Sequence, residues 1–510
     1  MIKNILFIQP FVLEKGHFAN EILIWAIYLE NFLKSKLKQL NFDIIYLPVE
    51  QNRGKLKIKS FNEVNIFRSQ MDKLISNIQF DVDEKTLISL SGTTSHHYLS
   101  SKLIAEYFQN KSPSSVIIFG GAHPSSKPHD FNYPKSPIDY VIIGEGEIPL
   151  YKLLQKNPKK QVTPKIIQNN PITDLNELPP INLSLFDKYI KDFNHLSISL
   201  SRGCPFNCNF CMEKSLSKEN PSIKRWRVYS PKRAIQEVKN MVKYGLENSI
   251  KDYGFYDPIF GLNKNWLDKF LNLYNFQEIS STWIETRLDI LNEKLIQKLQ
   301  IKKFYLMYGL ESYSKKMLSI MNKTFNPKEY LNKFEQVYQV HKKLESFFML
   351  NVLFNHPGET KETYLESFNR LEKMVIDDNI DTTYLNLRFY HHFPGTKVFN
   401  QFDYFNEKFG SISYFPEWWK REETLKNGPY CIRPSVDLSL RESINLFTEF
   451  YKNLEMINLE NIKKNKTPNS FQRALMIKKE IKGLEQKRDT QMNFLSEKKI
   501  ETGKTLISAI

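Results

Sequence analysis

The sequence predicts an α/β protein that opens with a doubly wound parallel sheet. Three observations carry this. Short β-rich runs alternate with helix-like stretches over the first third of the chain; three of those runs end in small or glycine-containing loops; and a later β-rich run leads straight into closely spaced cysteines. Strands that alternate with helices favour parallel pairing. At 510 residues the chain exceeds one ordinary domain, so roughly two or three are expected. Hydrophobic residues at 41% and charged residues at 25% are those of a folded protein.

The elements follow in order. Residues 5–9, 42–47, 86–91, 115–119 and 140–143 read as strands, and 21–40, 64–78, 99–109 and 148–154 as helices. The opening residues 1–11 hold one Lys and a brief apolar run with no small-residue cleavage site after it, which fits a buried first strand better than a secretory leader. In a doubly wound sheet, ligands sit beyond the carboxyl ends of the strands. Ser91-Gly92-Thr93, Gly120-Gly121-Ala122-His123 and Gly144-Glu145-Gly146-Glu147 fall at such ends. Glycine lets the backbone approach a planar or phosphate-bearing ligand. One such loop makes only a tight turn, but three at equivalent positions favour a ligand site.

Residues 156–178 are polar and carry Pro158, Pro164 and Pro171, and Pro179-Pro180 follows. Adjacent prolines favour extended chain. The expected organisation is therefore a domain at 1–155, a linker at 156–189, a core at 190–415 and a C-terminal region at 416–510.

The chemistry lies in the core. Of four cysteines, Cys204, Cys208 and Cys211 fall within eight residues and Cys431 stands apart. Thiols clustered in this way point to a metal in a reduced compartment. The spacing C-x3-C-x2-C lets one loop wrap three corners of an iron–sulfur cube, leaving the fourth iron without a nearby protein ligand. Catalytic zinc sites keep such an open position, and the same logic applies to iron. Structural zinc wants four ligands, usually as two pairs, and neither Cys431 nor His195 belongs to a second pair. An electron-transfer cluster wants four cysteines, and Cys431 lies far along the chain.

The run 196–211 resembles the radical S-adenosylmethionine signature, in which the residue before the third Cys is aromatic, as Phe210 is. Residues 249–260, 281–287, 304–312, 348–354 and 383–389 follow the strand order of that family, with helices such as 231–244, 292–299 and 361–376 between them. The resemblance implies a partial (β/α)6 barrel with its site at the strand carboxyl ends. It also implies that Cys204, Cys208 and Cys211 hold a 4Fe–4S cluster. Phe210, Asp257, Arg287 and Glu311 then serve S-adenosylmethionine, the charged ones through charge-assisted hydrogen bonds. Thr360 is equally a helix cap, with its helix beginning near Lys361.

The N-terminal loops are similar to the cobalamin-binding domain that precedes many such cores, and residues 156–178 resemble the connector between the two. The resemblance assigns Ser91, Gly92, Thr93, Gly120, Gly121, His123, Gly144, Glu145, Gly146 and Glu147 to cobalamin. The Asp-x-His-x-x-Gly motif whose His ligates cobalt elsewhere is absent. The implied reaction is reductive cleavage of S-adenosylmethionine to a 5′-deoxyadenosyl radical, leading to cobalamin-dependent methylation of an unactivated carbon in a natural product or peptide. A radical cyclase or rearrangement enzyme and a non-catalytic iron–sulfur protein are the alternatives. The implied partners are the small-molecule or peptide substrate and an electron donor such as flavodoxin or ferredoxin.

The remaining features set limits. No run reaches the roughly 18–20 apolar residues of a membrane span, and a cytoplasmic protein is expected. The net charge of +16 is read as a Lys-rich bias strongest at 463–488, so nucleic acid is not an expected partner. The aromatic stretch 403–434 is expected to pack the last helix onto the barrel, with Cys431 as a small hydrophobe. Residues 438–459 read as an amphipathic helix, and 463–510 as a Lys-rich tail with helical stretches. No TRAM-like β-domain and no N-terminal cysteine triad are evident, which counts against a methylthiotransferase acting on transfer RNA.

Overall fold

Alternating strands and helices build two parallel six-stranded sheets in this computed structural model, which describes residues 1–13, 24–83, 85–168, 170–216, 225–464 and 470–501. Residues 21–23 of the first expected helix and 465–469 and 502–510 of the expected tail lie outside the described residues.

The first sheet has the order β2-β1-β3-β4-β5-β6. Its strands are β1 (Asn4–Gln9), β2 (Asn41–Tyr46), β3 (Thr86–Ser91), β4 (Val116–Gly120), β5 (Tyr140–Ile143) and β6 (Lys165–Gln168). Every residue of β1 and β3 is buried, as parallel strands covered on both faces require. Ile5, Phe7 and Leu87 pack with Ala26 and Leu150 from the helices Ile24–Lys36 and Glu147–Gln155. Leu6, Ile8 and Ile88 pack with Phe67 and Ile104 from the helices Val64–Ile75 and Tyr98–Lys111. Strand β6 falls inside the segment expected as linker, so the first sheet extends beyond residue 155. Its residues are half-buried or exposed, and without apolar alternation a short edge strand leaves little trace in sequence.

The second sheet has the order β14-β13-β12-β11-β10-β7 and is open between β14 and β7. It comprises β7 (His195–Ile198), β10 (Asp252–Phe255), β11 (Ser281–Thr286), β12 (Phe304–Glu311), β13 (Phe348–Phe354) and β14 (Leu385–Phe389). The short strands β8 (Ser201–Arg202) and β9 (Arg227–Val228) pair antiparallel beside it. Here burial alternates strictly along β12 and β13. One face packs on the outer helices, through Leu306, Tyr308, Leu350 and Val352. The other, with Tyr305, Met307, Asn351 and Glu311, is only half-buried and forms the inner face of a six-stranded partial barrel.

Side-chain caps start the outer helices: Ser230 before Pro231–Glu247, Asn292 before Glu293–Ile301 and Thr360 before Lys361–Asp377. The helices Leu440–Lys464 and Ser470–Glu497 pack together at the C-terminal end. Trp418 and Trp419 are fully buried between the two sheets' territories; Trp418 Nε1 donates to the His392 carbonyl at 2.9 Å and Trp419 Nε1 to Asp130 at 2.7 Å. Cys431 is buried among Phe389, Leu440 and Ile444. Among the described residues, no helix is long and apolar enough to cross a membrane.

Candidate active site

The cysteine loop leaves β8 at Gly203, which has φ +81. A Cβ there would lie 1.9 Å from the Arg225 carbonyl oxygen, so only glycine fits. Asn209 anchors the middle of the loop: its N–H donates to the Met321 carbonyl at 2.8 Å and its Nδ2 to the Ile320 carbonyl at 2.7 Å. Cys204, Cys208 and Cys211 are free thiols. Among the described residues, no three His, Cys, Asp or Glu side chains are grouped to hold a single metal ion.

Two cations sit at Cys208. Arg287 Nη1 lies 4.0 Å from the Cys208 sulfur, and the guanidinium stacks on Phe206 with its carbon 3.8 Å from the ring centroid. Asp289 receives Nε and Nη2 at 2.9 and 2.8 Å, and Nη2 also donates to the Lys323 carbonyl. Lys323 is buried and pairs with Glu311 at 2.8 Å. Glu311, at φ +67, ends β12 in a left-handed turn. Burial pushes the Cys204 and Cys208 thiols up, while Lys323 and Arg287 pull Cys208 back down. The donor set fits an iron–sulfur cluster: three thiols on one short loop, all pushed up by burial, with two cations at Cys208 to favour its thiolate.

The remaining predicted S-adenosylmethionine residues take other contacts. Asp257 is buried, and its Oδ1 accepts from the N–H groups of Leu200 and Ser201 at 2.6 and 3.0 Å. It therefore pins the chain between β7 and β8, just ahead of the cysteines. Burial pushes its carboxyl up to about 7. Phe210 meets the His356 ring edge-on at 6.4 Å. Nδ1 of His356 donates to the Pro357 carbonyl at 2.8 Å, and burial holds the ring neutral, down to about 4.

A cavity of about 550 Å³ lies where the carboxyl ends of the two sheets meet. Ser91, Thr93, Gly120, Gly121 and residues 144–147 form one wall, and Ser199, Ser201, Arg202, Gly203, Tyr256 and Pro258 form the facing one. Trp25, Tyr28 and Leu29 line it too. Its size is that of a small-molecule or cofactor pocket, and its glycine loops and broad apolar rings fit a large planar group such as a corrin. Gly121 (φ +104) serves chain packing as well, since a Cβ there would lie 2.9 Å from the Gly92 carbonyl.

Two predicted residues lie off this wall. Gly92 donates to the Gly120 carbonyl and accepts from the His123 N–H, tying the loops together from behind. His123 is fully buried; Nδ1 is 2.9 Å from Ser95 Oγ, Nε2 is 3.4 Å from Asp130, and the ring faces Tyr98 and Trp419. The helical turn Ala122–Ser126 carries its side chain into the core rather than toward the cavity.

Sequence reasoning missed the cations of the boundary. Arg202 bonds Glu145 at 3.0 Å and Glu147 at 2.7 Å, and Arg227 forms a bidentate pair with Glu145. Arg202 stands directly before Gly203 and was available as a signal. Arg227 and Lys323 belong to no recognisable motif.

Two parallel sheets joined at their carboxyl ends, with a three-cysteine loop at the junction, define a class of iron–sulfur enzyme that carries a second ligand-binding domain. Residues 198–371 match the family profile of the Radical SAM superfamily. The matched segment, which holds the three cysteines, is a radical S-adenosylmethionine domain. It is 26% identical over 350 residues to the uncharacterized methyltransferase PH0819 of Pyrococcus horikoshii, covering 65% of this chain and 71% of that protein. It is 22% identical over 310 residues to the bacteriochlorophyllide d C-8(2)-methyltransferase of Chlorobaculum tepidum, covering 59% and 64%. It is 25% identical over 245 residues to the anaerobic magnesium-protoporphyrin IX monomethyl ester cyclase of a Synechocystis strain, covering 44% and 46%. The chain thus spans less than two thirds of the latter two. Among solved structures, the radical S-adenosylmethionine methyltransferase TsrM from Kitasatospora setae, with cobalamin and a 4Fe–4S cluster bound, superposes with a TM-score of 0.54 at 14% identity over 78% of this chain and 74% of that one. The two share a fold.

Proposed function

We propose that the chain is a cobalamin-dependent radical S-adenosylmethionine methyltransferase acting on an unactivated carbon of a small molecule or peptide. The observation that carries the proposal is the shared cavity, which sets the glycine loops of the first sheet against residues 201–203 at the head of the cysteine loop. When bound, the 4Fe–4S cluster supplies the electron that splits S-adenosylmethionine into methionine and a 5′-deoxyadenosyl radical, and cobalamin supplies the methyl group.

The protein's own residues do the rest. Cys204, Cys208 and Cys211 provide three thiolates, and Arg287 and Lys323 favour the charged form at Cys208. Asp257 holds the backbone that leads into the loop. Trp25, Tyr28, Tyr256 and Pro258 wall the cavity with apolar surface. The relatives named as methyltransferases support methyl transfer; the relative named as a cyclase supports radical chemistry without it. The reading calls for a low-potential donor such as flavodoxin or ferredoxin and for a cytoplasmic setting.

The test is anaerobic reconstitution of the full chain, with iron counted per chain and bound cobalamin identified by visible and mass spectra, followed by turnover with methyl-labelled S-adenosylmethionine. Label in the product supports the proposal. Cleavage without label would point to a cyclase or rearrangement, and no cleavage after dithionite reduction to a non-catalytic iron–sulfur protein.

A further inference from the structure

A second cavity, of about 270 Å³, lies along β14, the edge strand of the open barrel, beneath the helices Leu440–Lys464 and Ser470–Glu497. Its wall has two chemistries. Leu387, Phe389, Ile444, Phe447 and Leu484 make an apolar side, and Arg388, Lys487 and Arg488 bring three cations. No Asp or Glu lines it.

The cations are held rather than loose. Arg388 Nε donates to Asn386 Oδ1 at 2.7 Å, and Asn386 Nδ2 donates to Asn351 Oδ1 at 2.6 Å. That chain fixes the plane of the guanidinium, and no ion pair with a carboxylate engages Arg388 among the described residues. Lys487 Nζ lies 4.8 Å from the centroid of the Tyr430 ring. Arg488 pairs with the exposed Glu449 and with Asp489, each at 3.0 Å, so its charge is partly met from outside.

A fixed guanidinium beside an apolar wall suits an anion carried on an apolar body. The fork matches a carboxylate or phosphate with two parallel hydrogen bonds. A purely apolar ligand would leave the Arg388 guanidinium without a counter-charge, and a nucleic-acid surface would not need the apolar side. Asn351 and Asn386 stand on the half-buried inner face of β13 and β14, the side on which Arg388 follows Asn386 along the strand.

We propose that this trough binds the carboxylate or phosphate group of an amphiphilic small molecule and so anchors the methyl acceptor at the open edge of the barrel. That the occupant is the methyl acceptor rests on the proposed function; that the trough binds an anionic amphiphile does not.

The test uses the full chain without reconstitution, titrated by calorimetry with octanoate, octyl phosphate, octanol and inorganic phosphate. Octanoate or octyl phosphate should bind saturably, the tighter of the two naming the head group. Octanol and inorganic phosphate should each bind at least about tenfold more weakly, and Arg388→Gln should weaken the preferred ligand by about tenfold. Lys487→Gln, on an outer helix, should weaken it also and carries the test if Arg388→Gln does not fold. Equal binding of octanol, equal binding of inorganic phosphate, or unchanged affinity in a folded Arg388→Gln or Lys487→Gln would overturn the proposal. Because no cluster is present, failure here is separate from failure of methyl transfer.

Discussion

Arg202 and Arg227 stand directly opposite each other in the β8–β9 ribbon, two like charges in register. Such a pair is destabilising by itself. Glu145 resolves it by bonding both guanidinium groups, and Glu147 adds a second acceptor to Arg202. Both carboxylates come from the N-terminal domain, Glu145 from the loop after β5 and Glu147 from the start of the helix Glu147–Gln155. The ribbon that presents Gly203 and the cysteines is therefore neutralised by the glycine loop of the N-terminal domain.

Removing Glu145 should damage both domains' shared boundary. Glu145→Gln leaves Arg227 without its carboxylate partner while Arg202 keeps Glu147. Because Glu145 is 19% exposed, the cost should fall below that of a fully buried pair, about 3–5 kcal/mol. Glu147→Gln should cost less, because Glu145 still bridges the pair. The measurements are melting temperature and iron bound per chain after anaerobic reconstitution. Wild-type values of both in Glu145→Gln would mean that the boundary charges do not position the loop.

Gly203→Ala should abolish cluster loading. The added Cβ meets the Arg225 carbonyl at 1.9 Å, and φ +81 is strained for any L side chain. Relief requires β8 and β9 to separate, which moves Cys204. Electron paramagnetic resonance of the reduced, reconstituted variant should show little or no cluster signal; a signal of wild-type intensity contradicts the geometry.

Asp257 offers a test of position against direct binding. Asp257→Asn keeps an acceptor for the Leu200 and Ser201 N–H groups, whereas Asp257→Ala orphans both. Each orphaned buried donor costs about 1–3 kcal/mol. The Ala variant should lose stability and cluster, and the Asn variant should retain S-adenosylmethionine affinity. Equal loss of affinity in both variants, with stability intact in each, would instead make the carboxylate a direct ligand.

Much of this was legible from local signals. Strands β3, β5 and β13 fall at the residues their β-rich runs predict, and Thr360 caps its helix where the spacing placed it. The three glycine loops do converge on one cavity. What was not legible depends on distant pairing. Edge strand β6 is only four residues long, with two half-buried Ile between Lys165 and Gln168, so it reads as linker. His123 sits in the right loop, but one helical turn aims it at Trp419 instead of the cavity. Arg287 and Glu311 stand at strand ends as expected, yet Asp289 and Lys323 already occupy their charges. Arg287 and Asp289 are only two residues apart, so that pair was open to a local reading, whereas Lys323 reaches Glu311 only through the fold of the helix between them.

Glu359 should make stability fall with rising pH. It is fully buried, its Oε2 accepts from the Asn355 N–H, and burial lifts its carboxyl from 4.5 to about 8. The folded chain therefore keeps a proton that the unfolded chain releases. Its contribution is complete below pH 4.5 and is lost progressively as pH rises to about 8, at about 1.4 kcal/mol per pH unit where the two states differ fully. Glu359→Gln keeps an oxygen for Asn355 and removes the titration. Asp257 and Glu455, both also raised to about 7, slope the same way in both proteins, so the comparison is the difference between variant and wild type. That difference in melting temperature should move in the variant's favour between pH 5 and pH 8, pH values set by the two ends of the shift. Parallel melting curves across that range would show that the folded protein already holds Glu359 ionised.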